Sequence, residues 1–247
     1  MDKALKLTWL FECIVKGSDP TGLLDAAGKF LATVEPKDII RAERKMLDLG
    51  YSASELKRLY PAQIRILGDR GEKSLKLLPP NHLVHKILSE HQMFLCFLAD
   101  LEDVSREIGR SEVVSVAGTE FRKLTQIVRH IVSNFDHIHL EDELIFPELD
   151  RRGYIGTPSI LTTEHLTLTL SAENLMKLVI LAENDIIEPG KFKSNLDEFA
   201  STIITIGREH IFTEDKILYP IAVQLIEDPK EWQRIRALCD EVGYYSM

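Results

Sequence analysis

The chain has 247 residues, a formal net charge of −9, 45% hydrophobic residues and 28% charged residues. This composition predicts a soluble globular protein, and the acidic balance without a long basic run argues against nucleic acid as a partner. The three cysteines are far apart and form no CxxC pair, which argues against a disulfide framework or a thiolate zinc site. Without a signal-peptide core or an apolar run of about 18 residues, the chain is expected to be cytoplasmic and to lack a membrane span.

The first 76 residues predict a separate domain, a small bundle of short helices. Apolar side chains recur there at helical spacing, and Asp19 and Pro36 mark two of the helix starts. A linker is predicted between this domain and the next, bracketed by the turn-forming residues 68–71 and by the Leu-Pro-Pro run at 78–80. No residue pattern in this domain indicates catalytic or metal chemistry.

Residues 80–228 predict a second domain built from long helices, and residues 229–247 predict one final helix. The four long helical segments are expected at roughly 81–108, 112–151, 157–183 and 190–227. Long helices joined by short connections are typical of an antiparallel four-helix bundle. The predicted fold class is therefore all-α, a four-helix bundle preceded by a small bundle of short helices.

One motif occurs twice in the predicted four-helix bundle. It begins at His137 and again at His210, and it reads His, three residues, Glu-Asp, two residues, an aliphatic residue, an aromatic residue and Pro. Each His and the Glu four positions later, Glu141 or Glu214, share one face of a helix. A kink or break is expected at the two motif prolines, and the aromatic residues Phe146 and Tyr219 beside them are predicted to be packing residues.

A Glu-His pair precedes each copy of this motif. His91 lies 46 residues before His137, and His165 lies 45 residues before His210. Two copies that face each other would bring four imidazoles and two carboxylates together, which is a ligand set for two metal ions. The two glutamates would come from different helices, so each could bridge both ions, while each ion would take two histidines. Imidazole and carboxylate ligands suit iron, manganese or zinc.

Five further residues are candidates for an additional ligand or for a supporting contact. His85 would replace a ligand if the helix register differed. Glu90 and Glu164 are predicted as terminal ligands, as hydrogen-bond acceptors that orient an imidazole, or as an exposed flank. Asp142 and Asp215 are turned away from their motif histidines, which favours a supporting or solvated position over a ligand.

The doubled motif with Glu-His on the alternate helices resembles the haemerythrin-like (HHE cation-binding) family over about residues 80–228. The N-terminal part is similar to a helical domain of unknown function often found ahead of such domains, particularly through residues 40–43 and 47–50. The resemblance implies a non-haem di-iron centre ligated by His91, His137, Glu141, His165, His210 and Glu214. Haemerythrins proper carry a second histidine one turn later on the third helix, where this chain has Thr169, so one coordination position is open or filled by water, oxo or a carboxylate.

The resemblance implies a protein with two iron ions, with manganese or zinc as possible replacements. Such a protein would bind or respond to dioxygen, nitric oxide or peroxide, or handle iron. One alternative is a redox enzyme, a peroxidase or an oxygen or NO reductase, although the chain holds no flavin, haem or iron–sulfur motif to deliver electrons. Others are a sensor or adaptor whose N-terminal domain contacts a protein partner, and a structural zinc site. Whether the protein is an enzyme stays open at this point.

Overall fold

The protein is all-α over residues 2–133 and 135–244, the residues that the computed structural model describes, and those residues form no β-strand. The predicted fold class is therefore confirmed. The helices are α1 (Lys3–Val15), α2 (Pro20–Ala26), α3 (Gly28–Leu31), α4 (Pro36–Asp48), α5 (Ala53–Leu56), α6 (Tyr60–Lys76), α7 (Leu83–Arg110), α8 (Thr119–Ser133), α9 (Phe135–Leu140), α10 (Phe146–Arg151), α11 (Gly156–Glu183), α12 (Pro189–Thr213), α13 (Tyr219–Leu225) and α14 (Pro229–Val242). A 3₁₀ turn spans Lys57–Leu59, and π-helical segments span Glu141–Ile145 and Glu214–Leu218.

By their contacts, the residues divide into two compact units. One unit contains residues 87–139 and 163–211, and the other contains the residues up to 86, 140–162 and those from 212 onwards. Helices α7, α9, α11 and α12 contribute residues to both units. The predicted division at residues 76, 80, 228 and 229 stays a prediction, because it rests on the sequence pattern alone.

The first unit is a four-helix arrangement around one apolar core. Helices α7, α8, α11 and α12 each contribute fully buried aliphatic residues to a single cluster, for example Leu101, Leu124, Leu175 and Leu196. These positions recur at three- and four-residue spacing, so each helix presents one apolar stripe to the shared interior. Burial of that stripe holds the helices in register.

Contacts between helix ends show the direction of the helices in this unit. The Lys193 ammonium at the start of α12 donates to the Ser111 carbonyl just after the end of α7, so α7 and α12 are antiparallel. The Phe121 and Phe192 rings, near the starts of α8 and α12, lie 5.8 Å apart, so those two helices run in the same direction. Helices α8 and α12 therefore both run opposite to α7, as an up-down-up-down bundle with short connections requires.

Helix α8 begins later than the sequence predicted. The second long segment was expected from residue 112, but residues 111–118 are not helical and α8 starts at Thr119. Three valines in this stretch disfavour a helix because their branched side chains restrict χ1. Gly118 donates its amide to the Ser115 carbonyl at 2.9 Å, which closes a turn ahead of the helix.

The second unit groups the short N-terminal helices with the segments that begin just after the two motif histidines. Helices α1 and α4 pack on each other through fully buried residues such as Phe11 and Met46. Helix α6 packs on α13, where a Cβ at Gly71 would lie only 3.1 Å from the Cβ of Pro220. The glycine therefore permits a close approach of α6 to the second motif proline.

The predicted turn at residues 68–71 lies inside α6 rather than in a linker. Gly68 has φ +46° and ψ −143°, which breaks the regular helical path while the hydrogen-bonded helix continues to Lys76. A positive φ of this kind is accessible to glycine at little cost, so the glycine produces a kink instead of an end. The non-helical connection before α7 is the short stretch 77–82 that contains the two prolines.

Glu43 is a buried carboxyl group that joins α4 to the start of α11. It is 1% exposed and accepts hydrogen bonds from the Thr157 hydroxyl at 2.7 Å, from the Thr157 amide at 3.3 Å and from the Gln63 side-chain amide. Burial raises the pKa of Glu43 above its usual value, and the hydrogen bonds from Thr157 and Gln63 oppose that shift. The folded protein therefore binds a proton at this site more tightly than the unfolded chain does.

Replacement of Glu43 by glutamine is expected to make the metal-free protein less sensitive to high pH. Because the folded-state pKa lies above the unfolded value of 4.5, wild type loses stability as the pH rises from that value through the raised pKa. Denaturant unfolding should therefore show a larger advantage for Glu43→Gln over wild type at pH 8 than at pH 5. The control is Glu55→Gln: a hydrogen bond from the Ser52 amide lowers the pKa of Glu55, so this carboxyl is already ionised in the folded and the unfolded chain above pH 5. The difference between Glu55→Gln and wild type should therefore be the same at pH 5 and at pH 8. Equal slopes for wild type and Glu43→Gln would contradict the prediction.

None of the described helices combines the length and the apolar character that a membrane crossing requires.

Candidate metal centre

A π-helical segment begins at the glutamate of each motif. In the first copy, α9 carries His137, and the segment Glu141–Ile145 separates it from α10. In the second copy, α12 carries His210, and the segment Glu214–Leu218 separates it from α13. The amide of Phe146 donates to the Glu141 carbonyl and the amide of Tyr219 donates to the Glu214 carbonyl, five residues back in both cases.

The motif prolines account for these segments. A proline inside an α-helix lacks an amide hydrogen, and its ring clashes with the carbonyl four residues earlier. The wider π turn relieves both conflicts, and Pro147 and Pro220 then occupy the first turn of α10 and α13, where no amide hydrogen is needed. The expected disturbance is therefore present as a π segment, and the helical path continues through it.

The four predicted histidines form two close pairs. The Nε2 atoms of His91 and His137 are 3.0 Å apart, and the Nε2 atoms of His165 and His210 are also 3.0 Å apart. His91, His165 and His210 are buried, and His137 is 11% exposed at its side chain. Each pair joins one histidine of a Glu-His dipeptide to one histidine of a motif, as the repeat predicts.

Glu90 and Glu164 orient the motif histidines. The Nδ1 atom of His137 lies 2.8 Å from a Glu90 carboxylate oxygen, and the Nδ1 atom of His210 lies 3.0 Å from a Glu164 oxygen. A neutral imidazole that donates from Nδ1 carries its lone pair on Nε2, the atom that faces the neighbouring histidine. Both glutamates are thus placed to accept a hydrogen bond from a motif imidazole, a contact that would fix the ring orientation of a metal ligand.

Two sets of ligand atoms result, and they share both motif glutamates. One set is His91, His137, Glu141 and Glu214, and the other is Glu141, His165, His210 and Glu214. Within each set the ligand atoms lie within 4.8 Å of one another, and both glutamates are fully buried. The structure therefore brings together all six residues that the motif spacing grouped, in the expected partition.

The remaining candidates lie outside these two sets. The His85 ring nitrogen lies 3.3 Å from the Leu78 carbonyl, so the register that would make it a ligand is not the one observed. Asp142 accepts a hydrogen bond from the Thr162 hydroxyl at 3.1 Å and is partly exposed, and Asp215 belongs to neither set. His130 stacks on the Phe97 ring, with the ring centroids 5.1 Å apart.

Tyr219 makes a contact that the sequence analysis missed. It was predicted to be a packing residue, but its hydroxyl donates a hydrogen bond to Oε1 of Glu141, and both residues are fully buried. The available signal was the aromatic position of the motif, which is phenylalanine in the first copy and tyrosine in the second. A buried tyrosine usually needs a partner for its hydroxyl, and that rule would have directed attention to it.

The chemistry of the donor set fits divalent or trivalent cations. Two fully buried carboxylates carry negative charge that is costly to remove from water without a compensating cation. Four imidazoles supply neutral nitrogen donors, and none of the six residues supplies a thiolate, so iron, manganese and zinc match the set better than copper(I). Each set offers two nitrogens and two carboxylates, which leaves room for a further small ligand in a six-coordinate ion.

No curated protein matches the chain. The family model of the hemerythrin HHE cation binding domain matches residues 82–222, which is more than half of the chain and includes all six residues of the two ligand sets. The match agrees with the helical fold and with the paired ligand sets. The protein therefore belongs to the hemerythrin HHE cation-binding family.

Proposed function

We propose that the protein is a cytoplasmic non-haem di-iron protein that binds or responds to dioxygen, nitric oxide or peroxide. The observation that carries this proposal is the sharing of Glu141 and Glu214 between two ligand sets of otherwise different histidines. Shared carboxylates are how bundle proteins hold two ions close to each other. His91 and His137 would complete one ion site, and His165 and His210 would complete the other.

Iron is the proposed metal because the donor set combines imidazole and carboxylate and because the family implies a cation of this kind. Bound iron would supply redox chemistry and Lewis acidity toward a small diatomic or peroxidic ligand. The chain's own residues would orient the metal ligands and limit the access of water. Glu90 and Glu164 hold the motif imidazoles in one tautomer, and the surrounding apolar stripes exclude bulk solvent.

The number of histidines in the two sets supports the binding of an exogenous small molecule by the metal. Haemerythrins proper carry a further histidine one turn after His165, and this chain has Thr169 there, which is a poor metal ligand. The corresponding coordination position would therefore be available to water or to an exogenous ligand. Residues 1–76 contribute no residue to either ligand set, and we propose that this part of the chain contacts a protein partner.

An optical titration tests this function. Protein loaded with Fe²⁺ without oxygen is expected to be nearly transparent in the near ultraviolet and to gain charge-transfer absorption after exposure to air, because ferric ions bound to imidazole and carboxylate absorb there. A second anaerobic sample is treated with nitric oxide and is expected to change colour as well. Zinc-loaded protein is the control and should show no change. An iron-loaded protein whose spectrum responds to neither gas would contradict the proposal.

A further inference from the structure

The hydroxyl of Tyr219 gives the two shared carboxylates different surroundings. Tyr219 is the first residue of α13, directly after the second π segment, and its side chain is fully buried. Its hydroxyl donates to Oε1 of Glu141, which belongs to the first motif. The aromatic residue of one motif therefore contacts the glutamate of the other motif.

The counterpart of this contact has no hydroxyl. Phe146 occupies the same motif position in the first copy, directly after the first π segment, and it is 5% exposed. The repeat makes Phe146 the counterpart of Tyr219, and Glu214 the counterpart of Glu141. A phenylalanine cannot donate a hydrogen bond. The two copies of the motif therefore differ at this position, because only the second copy has a phenol hydroxyl.

We propose that Tyr219 is a positioning residue that makes Glu141 the weaker donor of the two carboxylates shared by the ligand sets. The inference rests on the di-iron function proposed above. A hydrogen bond to a carboxylate oxygen withdraws charge from that oxygen and fixes its orientation. The oxygen then donates less charge to a bound cation. This weaker donation reduces the affinity for a ferric ion more than the affinity for a ferrous ion.

The direction of the effect follows from this donation. Tyr219→Phe removes the hydroxyl and keeps the ring, so Glu141 becomes a stronger donor than it is in wild type. The ferric state is then stabilised relative to the ferrous state. A hydrogen bond to a charged group is worth enough to change a binding ratio by about tenfold. We expect the ratio of ferric to ferrous affinity to rise by about tenfold and the midpoint potential to shift to a more negative value.

Two further variants separate this role from simple packing. The double variant Tyr219→Phe/Phe146→Tyr moves the phenol to the equivalent position of the other motif. From the repeat we expect it to donate to Glu214 there and to restore the wild-type potential. Tyr154→Phe is the matched control, because Tyr154 is also fully buried and its hydroxyl lies beside Thr157 and Glu43. It should leave the potential and the near-ultraviolet spectrum unchanged.

The experiment is a spectroscopic redox titration of all four iron-loaded proteins, together with iron analysis and thermal unfolding of each. A negative shift in Tyr219→Phe alone, with the iron content unchanged, supports the inference. A potential and spectrum equal to wild type in Tyr219→Phe would overturn it. Should the double variant fail to fold, the comparison of Tyr219→Phe with Tyr154→Phe still decides the question. A wild-type protein without iron would overturn the proposed function as well, whereas iron-loaded wild type with an unresponsive variant overturns only the role of Tyr219.

Discussion

Joint replacement of Glu141 and Glu214 by glutamine is expected to abolish iron binding at concentrations that saturate the wild-type protein. Each glutamate belongs to both ligand sets, so the double variant removes two of the four donors from each ion site and leaves only imidazole pairs. The loss should exceed the ten- to hundredfold weakening that is typical when only a supporting residue is removed. Iron analysis after desalting and a competition titration with a coloured chelator measure it.

The matched control is Glu143→Gln/Glu198→Gln. Both of these glutamates are exposed, and Glu143 lies in the same π segment as Glu141 while Glu198 lies on α12 with His210. The control changes the net charge by the same amount without touching a ligand set, and it should retain the full iron content. Retention of iron by Glu141→Gln/Glu214→Gln would contradict the assignment of these residues as shared ligands.

Removal of the metal is expected to lower the stability of the wild-type protein strongly. An ion present at a thousand times its dissociation constant stabilises the folded state by about 4 kcal/mol per site, because it binds the folded chain and not the unfolded one. Without the cations, no bound ion neutralises the charge of the two fully buried carboxylates. Thermal unfolding with and without an excess of chelator should therefore show a large drop in Tm for wild type.

The Glu141→Gln/Glu214→Gln variant should behave differently in the same measurement. Its Tm is expected to be unaffected by the chelator, because it has no ion to lose. Its metal-free form should be at least as stable as metal-free wild type, since two buried charges are replaced by neutral amides of the same shape. A wild-type Tm that is equal in iron and in chelator would contradict the account.

The centre was predictable because its information is local and repeated. A histidine and a glutamate four residues apart must share a helix face, whatever the rest of the chain does. Two copies of that pattern, each preceded by Glu-His at nearly equal distances, define two matching halves. The structure accordingly brings His91, His137, His165 and His210 together in pairs with both glutamates.

Other features were not predictable because they depend on long-range packing or on competition between local preferences. The motif prolines predicted a kink or break in the helix. Only the structure shows that each proline is accommodated by a π-helical segment that begins at the motif glutamate. The contacts of Glu43 with Thr157 and of Tyr219 with Glu141 join residues more than 70 positions apart. No periodicity within one helix carries that information.

The packing of the N-terminal helices was also not predictable from the sequence, which indicated a separate domain. Their sequence contains caps, turns and apolar stripes of an ordinary small bundle, and nothing in it indicates a partner segment. In the structure, Gly71 of α6 approaches Pro220, and the Lys216 ammonium contacts Glu72 at 2.7 Å. These helices therefore pack on the residues that follow the second motif glutamate.

The most direct test of the account is the number of ions that one chain binds. An anaerobic calorimetric titration of metal-free protein with Fe²⁺ is predicted to saturate at two ions per chain in wild type and to show no binding in Glu141→Gln/Glu214→Gln. Saturation at one ion, or equal binding by both proteins, would contradict a centre in which two shared carboxylates join two pairs of histidines.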